Sequence, residues 1–77
     1  MGQRMPDQLV QERDLSRAQT ALKESHIYLI RQLQIDSTGD SMLLTGRVDT
    51  FYHKQMAQEI VRAVCDGVQL VNSIEVE

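Results

Sequence analysis

The chain has 77 residues, 42% of them apolar; it is one small domain, burying only about 60% of the surface that its unfolded form exposes. Eight Lys and Arg against eleven Asp and Glu leave a net charge of −3, and the basic residues are scattered from Arg4 to Arg62 with no adjacent pair. That balance argues against nucleic acid, whose phosphates need several cations, and against purely electrostatic adhesion to an anionic membrane.

Residues 1–13 are mostly polar and read as a flexible N-terminal tail ahead of a single domain over 14–77. Met1 to Gln8 lacks the apolar core of a signal peptide, and no stretch reaches the ~20 apolar residues of a membrane span. From Asp14 the pattern turns helical: Leu15, Ala18 and Leu22 share one stripe, which Ala21 widens. Either Asp14 caps this helix, or Ser16 does so in a capping box with Gln19; the helix stops near Ser25.

Leu29 to Asp36 reads as a half-buried strand, with Leu33 and Ile35 alternating with Gln32, Gln34 and Asp36. Ser37-Thr38-Gly39-Asp40 is the turn, its glycine available for a positive φ. The next strand places Met42, Leu44, Gly46 and Val48 on one face. A hairpin centred on Thr38-Gly39 would set Leu33 opposite Leu44 and Ile35 opposite Met42. Gly46 would then face Arg31 and leave room for a helix to come close. The other face carries Gln32, Gln34, Thr45 and Arg47, flanked by Ile30 and Leu43.

A second helix follows, capped by Thr50 or Asp49, with Ala57, Ile60, Val61 and Val64 in one stripe. Asp66-Gly67 ends it, the glycine taking the left-handed position. The last strand runs from Val68 to Val76; Val71 breaks the parity of Val68, Leu70, Ile74 and Val76, which suggests a bulge near Val71-Asn72. The order α-β-β-α-β, with a right-handed crossover, predicts an α+β two-layer sandwich: a three-stranded mixed sheet with two helices on one face.

This ordered set of residues resembles the BON domain, named after bacterial osmotically inducible periplasmic proteins and nodulation proteins. The family pattern is a strand ending Leu-x-Gly-x-Val, a helix with an inward alanine, then Gly-Val and a closing strand with Val-Asn. Leu44, Gly46, Val48, Ala57, Gly67, Val68, Val71, Asn72, Ile74 and Val76 fit it, over Asp14 to Val76. Two places depart from the family: the turn at Ser37-Thr38-Gly39-Asp40, where a short acidic-glycine turn is usual, and the aromatic helix start Phe51-Tyr52-His53. The resemblance implies a non-catalytic binding module of the bacterial periplasm or cell envelope. Its partner would be a phospholipid membrane surface or an envelope protein.

The residues themselves hold no catalytic constellation. His26 and His53 have no carboxylate or cysteine at ligand spacing, so no metal, no cofactor and no enzyme activity are expected. Cys65, the one cysteine, permits no internal disulfide; it is a buried small apolar residue, or else a reactive thiol or an intermolecular bridge. The segment Phe51-Tyr52-His53-Lys54 is the candidate contact surface, since rings beside a cation at a helix start suit a lipid interface. The competing reading makes Phe51 a plug at the end of the core, with Tyr52 over Met56. The polar face of the sheet is either simply solvated or, with its edge, a place for another chain to dock. Sequence alone leaves the oligomeric state and the strand order open.

Overall fold

The computed structural model describes residues 10–65 and 67–77. The first helix, α1, spans Glu12–Lys23 and starts two residues earlier than the pattern suggests. The carbonyl of Gln11 accepts the N–H groups of Asp14 and Leu15, so Asp14 and Ser16 lie inside the helix and neither caps it. Glu12 and Asp14 still favour this end electrostatically, near the positive pole of the helix dipole. Ala18 and Leu22 are its buried residues.

The expected strand from Leu29 starts late. Tyr28–Arg31 instead forms one helical turn, α2, built on Ile27. Ser25 Oγ accepts the Ile27 N–H, and the Ile27 carbonyl accepts those of Ile30 and Arg31. The turn carries Ile30 into the core rather than onto the solvated sheet face. Strand β1 then runs Gln34–Thr38 and β2 runs Ser41–Thr45.

The two strands pair antiparallel with Ile35 opposite Leu44 and Asp36 opposite Leu43. The turn is thus Gly39-Asp40, one position later than expected, and every partner moves by two. An even shift preserves parity, so the aliphatic face is the expected one. Gly39 has φ +75 and, among the described residues, no non-glycine has a positive φ, the sign pattern of a II′ turn with glycine first.

Gly46, at φ +129, separates β2 from a short strand β3, Arg47–Val48. A Cβ on Gly46 would stand 2.6 Å from Leu33 Cδ2. The glycine therefore admits Leu33, not a helix, and does not face Arg31.

Helix α3, Phe51–Val64, buries Ala57 and Val61 and ends at Cys65. Gly67 takes a left-handed φ of +85 as expected, while Asp66 and residues 1–9 lie outside the described residues. Strands β4, Gln69–Asn72, and β5, Glu75–Val76, follow. Leu44 pairs with Asn72 and Arg47 with Glu75, an offset of 28 residues on both sides of the break. The carbonyls of Leu44, Gly46 and Val48 accept the N–H groups of Ser73, Glu75 and Glu77 in one continuous ladder. No residue is inserted, so there is no bulge. Asn72 holds the inward position between Leu70 and Ile74, and Val71 points outward.

The sheet order is β1-β2-β4, with β2 central, antiparallel to β1 and parallel to β4; β3 and β5 extend the parallel pair. Helices α1 and α3 pack on each other and on the aliphatic face. Leu22, Ile30, Met42, Leu44, Val48, Val61 and Ile74 form the centre of the core. This is the expected α+β two-layer sandwich, with α2 added.

Candidate functional site

The start of α3 is fixed by its cap. Thr50 is extended, and its Oγ1 accepts the His53 N–H at 3.0 Å, leaving Asp49 free for a different role. Held this way, the first turn directs both rings outward: Phe51 is 74% exposed and Tyr52 68%. The core-plug arrangement of Phe51 is therefore not the one adopted. Tyr52 and His53 lie with ring centroids 5.6 Å apart at 50°.

His53 has a carboxylate partner that the spacing argument overlooked. Its Nδ1 is 2.8 Å from Asp49 Oδ1, one helical turn back across the cap. The hydrogen bond to His53 holds the Asp49 carboxyl below the usual aspartate range, and the contact lies open to solvent. Among the described residues, no group of three or more His, Cys, Asp and Glu is arranged to hold a metal ion. Lys54, half-buried, enters no ion pair among the described residues.

The same helical turns are tied to the sheet by Asn72. Its Nδ2 donates to the Lys54 carbonyl and to Gln58 Oε1, each at 3.1 Å, while its Oδ1 accepts the Ile74 N–H at 3.1 Å. An inward polar side chain is costly unless satisfied, and here each of its polar atoms is satisfied. Asn72 thus anchors α3 to the sheet at Lys54 and Gln58, from the side opposite Val71.

On the outward sheet face, Asp36, Leu43 and Val71 form one row across β1, β2 and β4, with Val71 43% exposed. Gln34, Thr45 and Arg47 lie on this face as expected, whereas Gln32 ends the α2 turn instead. Arg47 reaches Glu75 at 3.9 Å and Glu77 at 3.3 Å; such exposed pairs contribute little.

Two further residues lie away from these sites, Tyr28 on the surface and Cys65 beneath it. Tyr28, which no pattern singled out, is 63% exposed, with the Arg31 guanidinium 5.5 Å from its ring centroid. Cys65 is buried, donates its thiol to the Asp14 carbonyl at 3.1 Å, and has its pKa pushed up by burial and then by Asp14, which fits the packing role. No described helix is long and apolar enough to cross a membrane.

Among protein families, the model of the BON domain matches residues 15–77. Neither a curated protein nor a solved structure matches the chain.

Proposed function

The chain belongs to the BON domain family, whose members are non-catalytic, envelope-associated binding modules, and from that premise we propose that it touches phospholipid membranes through the start of α3. The observation that carries this reading is the pair of adjacent exposed rings, Phe51 and Tyr52, on a rigidly capped turn. Aromatic rings bury about 150–250 Å² each when fully covered, so inserting the exposed parts of both contributes at most about 9 kcal/mol. Tyrosine is suited to the headgroup level and phenylalanine to the acyl boundary. The net charge of −3 opposes anionic lipid, so the contact should not depend on a negatively charged surface.

The test is an amide NMR titration with bicelles, neutral first and then anionic. Shifts clustered at Phe51–Lys54, and lost in Phe51→Ser/Tyr52→Ser with circular dichroism intact, would support it. Silence in both lipids would end it.

A second reading, a protein-interaction module, draws support from the outward row of Leu43 and Val71 and from sheet edges that no described strand covers. Concentration-dependent mass in sedimentation, without lipid affinity, would favour it.

A further inference from the structure

Strand β1 is an edge whose alternation is fixed by the ladder on the far side of β2. The Leu44 carbonyl faces β4, where it accepts the Ser73 N–H. The main-chain groups of Leu43 and Thr45 therefore face β1 and meet Asp36 and Gln34. Those of Ile35 and Ser37 point away from the sheet, and no described strand pairs with them.

A groove of about 350 Å³ runs beside that edge. One wall is Leu33 with β1 from Gln34 to Asp36; the other is the α1 face of Gln19, Leu22 and Lys23. At strand spacing the four residues of this wall span about 13 Å, the reach of a four-residue extended peptide. A helix standing beside an unpaired strand edge is the geometry in which peptides add as an extra strand.

The charges of the groove select an orientation. Val10 donates to the Gly39 carbonyl, so α1 begins near the hairpin turn and ends near the start of β1. Lys23 and Arg31 thus share the end of the groove where β1 begins. Neither is in an ion pair among the described residues; Arg31 donates only to the Ser25 carbonyl and lies over Tyr28. Asp36 sits toward the other end. A strand added antiparallel to β1 brings its C-terminal end to Lys23 and Arg31, whereas a parallel strand would bring an amine there.

We propose that the β1 edge is a docking groove for an extended peptide, bound antiparallel, whose C-terminal carboxylate is held by Lys23 and Arg31. This deepens the protein-interaction reading and is independent of lipid contact at α3. Main-chain bonds at Ile35 and Ser37 would supply affinity, and the two cations would set direction.

The probe is the tetrapeptide acetyl-Thr-Val-Thr-Val with a free carboxylate, compared with its C-terminal amide, on the labelled full chain. Expected are amide shifts and slowed exchange at Ile35 and Ser37, with the amidated peptide about 5- to 10-fold weaker. Lys23→Gln and Arg31→Gln should each narrow that difference, and Phe51→Ser/Tyr52→Ser should leave it unchanged. If Arg31→Gln disturbs the α2 turn, Lys23→Gln and the comparison of the two peptides on the unaltered chain still decide. No shift at Ile35 and Ser37 at millimolar peptide, or equal affinity for acid and amide, would overturn the proposal. Self-association in sedimentation with a silent peptide would keep the interaction reading and reject this groove.

Discussion

Replacing Gly46 with alanine tests the hairpin register most directly. The new Cβ would lie 2.6 Å from Leu33 Cδ2 and 3.4 Å from Leu33 Cα, at a φ of +129 that side chains rarely adopt. The backbone strain costs about 1–3 kcal/mol. Relieving the overlap means swinging Leu33, which is nearly buried, and costs a further 1–3 kcal/mol or so. Taking about 3 kcal/mol in total, the loss is a large share of the roughly 4–11 kcal/mol expected for a domain this size. An unfolding entropy near 160 cal/mol/K converts it to a Tm drop of about 19 °C. Urea and thermal unfolding followed by circular dichroism would measure it. Adding Leu33→Ala removes the crowded side chain but not the strain, so the double-mutant cycle should show favourable coupling of about 1–2 kcal/mol. A Tm change below about 3 °C, or no coupling, would refute the placement of Leu33 over Gly46.

Asn72→Ala removes three hydrogen bonds from a part-buried site and should cost about 2 kcal/mol in urea unfolding, with hydrogen exchange accelerated at Ile74. An unchanged midpoint would show that Asn72 does not clasp α3 to the sheet. For Asp49, the carboxyl carbon should titrate below the ordinary aspartate midpoint, and His53→Ala should move it up toward that midpoint. Because the folded-state pKa is the lower one, this contact favours folding above the ordinary aspartate pKa and fades as pH falls through the lowered value.

The face assignments of the hairpin were legible because strand parity has a period of two. Its register was not, since centring the turn on Thr38-Gly39 or on Gly39-Asp40 buries the same side chains. The steric fit of Leu33 against Gly46 separates the two, and that is invisible to a hydrophobicity pattern. The α2 turn escaped notice because Tyr28 and Ile30 favour strands by type and four residues carry no helical period. Its clue was Ser25, whose hydroxyl accepts the Ile27 N–H. Asn72 resembled a break in parity because a polar residue at an inward position looks like an outward one until its partners are seen. The Asp49–His53 pair spans a helix cap, where one member lies outside the periodic frame. A ring at a helix start is equally consistent with a staple or an exposed contact, so Phe51 was decided only by how Thr50 sets the turn.

The constant offset of 28 residues between β2 and its parallel partner has a kinetic meaning. β1 finds β2 through a two-residue turn, whereas β4 must bring back a loop that includes all of α3. By chain statistics that longer closure costs roughly 1.7 kcal/mol more than closing a four-residue loop. Loop closure alone therefore favours the hairpin as the earlier contact and the return of β4 and β5 as the later one. Asn72 belongs to that later segment, so its clasp on α3 at the Lys54 carbonyl and Gln58 depends on the longer closure, while the Thr50 cap that sets the rings is local to the helix.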